Sequence, residues 1–308
     1  MECALEPVFD SLVEGSAALS WTDKVSDVAM IRWIASYPKS GNTWVRLFLM
    51  AYEAGDKFDM NAASHGFYWD INPALYQKLA PAPLEELSAA EILALRPAAL
   101  LYLSRVHNGH PIIKTHVANM TVNGEIKLIP RSVTDRVLYL LRDPRDVAVS
   151  YANHRNGEID TTIAFMANPN AVRRSGHVPS FISDWSRHVQ SFKKTEFPCL
   201  TVRYEDMLAT PADSFAAILD FFGIACDSAR LEQAIAATRF DALSERESTD
   251  GYIGRHPSRG PFFRRGQVGG WREDLSPEQV AAIESVHGAE MVRAGYALAS
   301  SATAHAAG

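Results

Sequence analysis

The chain has 308 residues, 47% of them hydrophobic, and a formal net charge of −6. That length holds one large α/β domain or two small ones, and the apolar fraction is ample for a core. A net negative surface excludes a general binder of nucleic acid or acidic membranes, and no apolar run approaches the roughly 20 residues of a membrane span.

Glu2, Glu6 and Asp10 argue against a secretory signal or a mitochondrial presequence. Cys3, Cys199 and Cys226 are spaced for neither a disulfide framework nor a metal site. Free thiols in a reducing cytoplasm are expected.

Residues 1–29 show no clear period and read as an N-terminal extension that packs loosely. Ile31 to Ala35 is a short β-leaning run. Tyr37-Pro38 ends it, because proline fixes φ and offers no N–H to a ladder. Gly41 lets the backbone bend where a Cβ would clash. From Asn42 onward, Val45, Leu49 and Tyr52 recur near helical spacing, and Gly55 is the stop. A helix opening after such a loop points free N–H groups and positive partial charge into the loop's concavity, which suits a phosphate or sulfate. Lys39, Ser40, Asn42 and Thr43 add donors there. The register is not that of a Walker A loop, because Lys39 precedes Gly41 instead of following a glycine.

Residues 56–85 read as irregular, with an aromatic cluster, Phe67-Tyr68-Trp69, that either binds an acceptor or anchors a loop on the core. Ser88 and Glu91 form a capping box. A helical stretch follows Pro97 through Leu103 toward Gly109. Pro111 to His116 is a compact strand with a polar carboxyl end. Arg136 to Leu141 is apolar enough to be covered on both faces, as in a parallel sheet. Asp143 suits an N-cap and Pro144 the first position of a helix running to about His154. Residues 155–179 read as a long loop or lid, and Phe181 to Phe192 as an amphipathic helix. Cys199 to Tyr204 is another strand. Thr210 caps a helix that begins with Pro211 and ends at Gly223, and Ser228 to Thr238 is helical. Residues 250–272 are rich in Gly and Arg. Ser276-Pro277-Glu278-Gln279 opens a last helix that stops near Gly295, and residues 299–308 read as a disordered tail.

Strands alternating with helices imply an α/β fold with a mainly parallel sheet, whose ligands bind at the carboxyl ends of the strands. Lys39, Lys114, His116, Arg142 and Tyr204 all fall there. Arg142 can hold a phosphate with two parallel hydrogen bonds, and Ser150 lies about two turns into the helix that follows. Arg264, Arg265 and Gly266 supply charge and close backbone approach to an anion. His116 can accept a proton at neutral pH, and strand alternation puts Lys114 on its face. The other nine histidines read as surface or loop residues.

Tyr37-Pro38-Lys39-Ser40-Gly41-Asn42-Thr43-Trp44 resembles the 5′-phosphosulfate loop of the sulfotransferases that use 3′-phosphoadenosine-5′-phosphosulfate (PAPS). That loop is usually Tyr-Pro-Lys-Ser-Gly-Thr-Thr-Trp, so Asn42 stands at the first threonine. Leu141 to Ser150 resembles the family's 3′-phosphate motif. Phe263 to Arg272 resembles its Arg-Lys-Gly-x-x-Gly-Asp-Trp-Lys segment, with Gly270 at the aspartate and Arg265 and Arg272 at the lysines. Lys114-Thr115-His116 resembles the Lys-Thr-His strand end whose histidine deprotonates the acceptor. Arg203-Tyr204-Glu205-Asp206-Met207 resembles a Tyr-Glu-Asp-Met turn.

The resemblance implies a P-loop-like three-layer fold, with one sulfotransferase domain over residues 30–298. It implies sulfuryl transfer from PAPS to a hydroxyl or amine of a small molecule, leaving 3′-phosphoadenosine-5′-phosphate (PAP), with no metal. His116, Lys39 and Lys114 would be catalytic. Lys39, Ser40, Gly41, Asn42 and Thr43 would hold the 5′ group. Arg142, Ser150, Arg264, Arg265 and Gly266 would hold the 3′-phosphate. Trp44, Tyr204 and Phe240, with Thr238, would hold the adenine. Phe67, Tyr68, Trp69 and Tyr151 are acceptor-binding candidates. A P-loop kinase using ATP and Mg²⁺ and a non-catalytic nucleotide-binding module are the alternatives, but ATP has no 3′-phosphate for Arg142 and Arg264. The partner is then a small-molecule acceptor, neither nucleic acid nor membrane, and the location cytoplasmic. The Lys-x-x-x-Thr-Val-x-x-x-Glu dimer motif of some relatives is absent, which leaves the oligomeric state open.

Overall fold

A computed structural model of the chain describes residues 30–62, 67–105, 110–254 and 260–299, with the side chains of Phe67 and Tyr68 excepted. The extension at 1–29 and the tail from 300 onward lie outside the described residues.

The first unit is β1 (Ile31–Ser36), a tight loop and α1 (Asn42–Ala54). Then come β2 (Phe67–Trp69), α2 (Pro73–Leu79), α3 (Ala89–Ala94), α4 (Arg96–Arg105) and β3 (Ile112–Thr115). A small hairpin, β4 (Thr121–Val122) and β5 (Ile126–Lys127), leads to β6 (Thr134–Leu141) and α5 (Pro144–Arg155). Next are α6 (Ile159–Met166), the hairpin of β7 (Val172–Ser175) and β8 (Val178–Phe181), α7 (Trp185–Ser191) and β9 (Cys199–Arg203). The chain closes through α8 (Tyr204–Ala209), α9 (Pro211–Phe221), α10 (Ser228–Ala237), α11 (Phe240–Asp250), α12 (Trp271–Asp274) and α13 (Pro277–Arg293).

The central sheet has the order β2-β3-β1-β6-β9, and every pairing in it is parallel. Alternation along the strands splits the core in two. Ile31, Trp33, Ala35, Val137 and Tyr139 join the cluster on one face, while Ile34, Leu138 and Leu140 meet α1 and α9 on the other. The sheet is therefore the middle of three layers, which explains why β6 reads as a continuous apolar run. β1 lies between β3 and β6, so a crevice opens at its carboxyl end.

Local signals place several boundaries. The capping boxes at Ser88 and Ser276 both form, and Asp143 accepts from the N–H of Arg145 with Pro144 in the first turn. Gly55 stops α1 in the left-handed half of φ space, at 57°.

Four expectations are corrected. The stretch 56–85 is not simply irregular: it contains β2, which pairs with β3 at the sheet edge, and α2. The stretch 155–179 is not a long loop, because α6 and most of the β7–β8 hairpin occupy it. The helix expected from Phe181 starts at Trp185, capped by Asp184. Thr210 does not cap α9 with its side chain; its hydroxyl donates to the Asp206 carbonyl.

A buried ion pair ties the β3 end to its surroundings. Arg96 Nη2 donates to Asp70 Oδ2 at 2.7 Å, and the same oxygen accepts from Thr115 Oγ1 at 2.9 Å. Arg96 also donates twice to the Leu128 carbonyl, from Nε and Nη2. Both charged side chains are almost fully buried, so removing one partner strands the other. Asp70→Ala is expected to cost about 3–5 kcal/mol of stability. Urea unfolding checks this, and a loss below about 1 kcal/mol would show that the pair contributes little.

Candidate active site

A cavity of about 380 Å³ opens at the carboxyl ends of β1, β3 and β6. Small-molecule sites typically span roughly 300–1,000 Å³. Lys39, Gly41, Asn42, Thr43, Trp44, Lys114, His116, Arg142, Ser150, Tyr204, Phe240, Arg264, Arg265 and Gly266 all line it, as does Trp69.

The loop before α1 is shaped by two left-handed residues, Lys39 at φ 69° and Gly41 at φ 99°. A Cβ on Gly41 would stand 2.9 Å from Tyr204 Cδ2, so both conformation and space require glycine. The first N–H groups of α1 then open onto the cavity without intrahelical partners. Lys39 lies over the Phe262 ring, 4.7 Å from its centroid.

Asn42 is placed differently from the expectation that it adds a donor for the anion. Its Nδ2 donates to the Ile34 carbonyl at 2.9 Å and approaches Ser36 Oγ at 3.4 Å, so the side chain clamps the loop to β1. Ser40 is fully buried and does not line the cavity, and its Oγ has no partner among the described residues.

Arg142 bridges the two anion loops. It donates to the Lys39 carbonyl at 3.1 Å and the Gln267 carbonyl at 2.9 Å. Its guanidinium lies 4.1 Å from the centroid of the Tyr204 ring, so one face of that ring is taken by a cation instead of a base. Arg145, not Arg142, takes the neighbouring acids, pairing with Asp143 and Glu284. The basic loop is ordered from α5: Asp146 accepts from the N–H groups of Gly269 at 2.8 Å and Trp271 at 3.0 Å. Gly266 has φ 59°, and a Cβ there would meet Phe240 at 2.2 Å.

His116 and Lys114 reach the same cavity. His116 Nδ1 donates to the Ser36 carbonyl at 2.9 Å, which selects the tautomer with a bare Nε2. Burial, and then the Lys114 charge, hold this imidazole well below its ordinary range, so it is neutral at neutral pH. Burial also brings Lys114 down to about 7, helped by the Arg46 and Arg173 charges. The Lys114 ammonium lies 4.9 Å from the Trp69 ring centroid.

Two expected contacts do not reach the cavity wall. Thr238 is fully buried and its hydroxyl donates to the Ala234 carbonyl, so it serves α10 and not a base. Tyr151 is fully buried behind the wall. The side chains of Phe67 and Tyr68 lie outside the described residues. The surface reading of the remaining histidines fails for two. His188 sits in the core, donates from Nε2 to the His116 carbonyl and accepts from the Tyr139 hydroxyl; burial lowers it to about 3. His287 is buried too, hydrogen-bonded to Ser186. Arg46, His154, Arg173, Tyr252 and Phe262, none of them singled out from the sequence, also line the cavity. Only Arg46, one turn past the loop, carried a local signal.

The residues present fit a nucleotide bearing several anionic groups. Cations converge from α1, β3, β7 and three loops, and the two lining acids are engaged, Asp146 by backbone N–H groups and Asp274 by Arg265 at 2.6 Å. Trp44 Nε1 and Arg142 Nε are buried without partners among the described residues. Buried polar atoms of this kind are uncommon unless a ligand completes them.

The chain matches the sulfotransferase domain over residues 32–295. It is 24% identical to cytosolic sulfotransferase 17 of Arabidopsis thaliana over 272 residues, covering 82% of this chain and 72% of that protein. It is 25% identical to sulfotransferase 1B1 of Mus musculus over 274 residues, covering 84% and 81%. Its fold superposes on retinol dehydratase, solved with androsterone and the inactive cofactor PAP, with a TM-score of 0.59 at 20% identity, covering 84% and 80% of the two chains. With the domain matched over most of its length and the anion loops in place, this chain belongs to the sulfotransferase family and is a PAPS-dependent sulfotransferase.

Proposed function

We propose that His116 is the general base in transfer of the sulfuryl group from PAPS to a hydroxyl of a small-molecule acceptor. The observation that carries this is the hydrogen bond from His116 Nδ1 to the Ser36 carbonyl, which leaves Nε2 as a lone pair in the cavity. In the transfer the acceptor oxygen gains the S–O bond. The bond from sulfur to the bridging oxygen of PAPS breaks, its electron pair leaves with PAP, and the acceptor proton goes to His116 Nε2.

Lys39 and the N–H groups opening α1 stabilise charge on the departing oxygen, and Lys114 stabilises the transferring group. Arg142, Ser150, Arg264, Arg265 and Gly266 hold the 3′-phosphate. Trp44 and Phe240 flank the adenine, with the exposed part of Tyr204. Trp69 lies on the acceptor side, beside Lys114. The androsterone bound by retinol dehydratase supports a small acceptor bearing a hydroxyl. No helix among the described residues is long and apolar enough to cross a membrane, and the relatives named cytosolic support a cytoplasmic location. One sulfotransferase domain over residues 30–298 is part of the same reading.

Calorimetric titration tests the nucleotide assignment. PAP is expected to bind tightly and ATP with Mg²⁺ weakly. Arg142→Ala is expected to weaken PAP by about 10–100-fold, the scale of a lost charge-assisted hydrogen bond. Equal affinity for both nucleotides would refute it. His116→Ala is expected to lower kcat by about 10²–10⁴-fold while PAP affinity stays unchanged. Turnover near wild type would remove His116 as the base.

Lys114 makes a further prediction about stability. Its folded value, about 7, lies below the ordinary lysine value of 10.5. Between these the unfolded chain binds more protons, so stability rises with pH across that window, and the full penalty is present below about pH 7. Lys114→Met is therefore expected to raise the melting temperature of the ligand-free protein, more at pH 6 than at pH 10, while impairing transfer. A pH-independent shift would contradict the assignment.

A further inference from the structure

We propose that Arg173 binds an anionic group, a carboxylate or a phosphate, on the acceptor, so that the acceptor carries both a hydroxyl and a negative charge. The inference rests on the sulfotransferase reading and goes on to name the acceptor's chemical class.

Arg173 lies on β7, opposite Ser180 of β8. Along β7, Val172 and Arg174 are exposed while Arg173 is half-buried. Alternation thus turns one arginine of the pair inward and the other to solvent, where Arg174 donates to the His177 carbonyl. Arg173 lines the same cavity as Lys114 and His116.

Its guanidinium has no hydrogen bond or ion pair among the described residues, and the ring it approaches, that of Tyr151, has its centroid 5.6 Å away. None of the internal stretches outside the described residues contains an Asp or Glu. A half-buried arginine beside other cations repels them unless an anion joins the set.

The nucleotide does not account for it. The groups assigned to the 3′-phosphate sit on the β6 side, around Arg142 and Arg264. Arg46 is linked to the 5′ loop through Thr43 Oγ1 at 3.4 Å. Arg173 instead lines the cavity with Lys114 and His116, where its charge adds to burial, the main cause, in lowering both. Two hydroxyls stand in its field, those of Tyr37 and Tyr151. Both are buried and without partners among the described residues. Burial keeps them protonated, and both stand behind the cavity wall, so neither offers Arg173 a negative charge. A planar carboxylate or a phosphate suits the fork of an arginine that lines the cavity without an acidic partner among the described residues. Trp69, Tyr252 and Phe262 give the rest of the space an aromatic lining.

The test uses the full chain saturated with PAP. Three probes are titrated calorimetrically: 4-hydroxyphenylacetate, 4-hydroxyphenyl phosphate, and the neutral 4-hydroxyphenylacetamide. At least one anionic probe is expected to bind roughly tenfold or more tighter than the amide, the scale of one charged hydrogen bond. The better anion identifies the group. In Arg173→Gln the preference should fall to about twofold or less, with PAP affinity unchanged, and Arg173→Lys should restore part of it. Equal binding of all three probes, binding of none, or a preference that survives Arg173→Gln would overturn the proposal. Failure of the wild type to bind PAP would instead sink the nucleotide reading, and this proposal with it.

Discussion

The site depends on the carboxyl end of β1. Ser36 accepts the His116 Nδ1 proton through its carbonyl, and its hydroxyl lies within reach of Asn42. Asn42 in turn clamps the anion loop to Ile34. One residue therefore ties His116 to the loop before α1. β1 can hold that role because it is paired on both sides, with β3 and β6. A slip of its register would break two ladders and turn buried side chains to the wrong face. The Asp70–Arg96 pair then fixes β3 from below through Thr115, between Lys114 and His116.

Charge is segregated within the molecule. The chain is acidic overall, at −6, yet its cavity is lined by cations from several elements. Crowding like charges in a partly desolvated cleft is unfavourable, and Lys114 is lowered first by burial and then by the Arg46 and Arg173 charges. That cost is met by burial elsewhere, in two apolar clusters on the faces of the sheet. The same crowding makes the cleft receptive to a polyanion, since binding relieves the repulsion.

Local signals were legible where a few consecutive residues decide the outcome. The loop from Tyr37 to Trp44 reads correctly because its proline, glycine and helix start act within one turn. The caps at Ser88, Asp143 and Ser276 read correctly for the same reason. β2 did not, because three residues carry no period and the strand exists only by pairing with β3. The β7–β8 hairpin was hidden among polar residues around Gly176, where the pattern resembles a loop. Thr238 and Tyr151 stand at plausible positions in the chain, but their burial depends on neighbours far away in sequence.

The sequence by itself determined the α/β architecture and singled out the two glycine-bearing loops and His116, Lys114 and Arg142 as candidates for the site. These rest on residue type and short spacing. Tertiary structure alone decided that Asn42 ties the loop down, that Asp146 orders the basic loop, and that His188 is buried against the His116 backbone. It also decided which of two adjacent arginines enters the cavity. The physical reason is that a hydrogen bond or a buried charge needs a partner in space, and for Asp146 that partner lies 125 residues away in the chain.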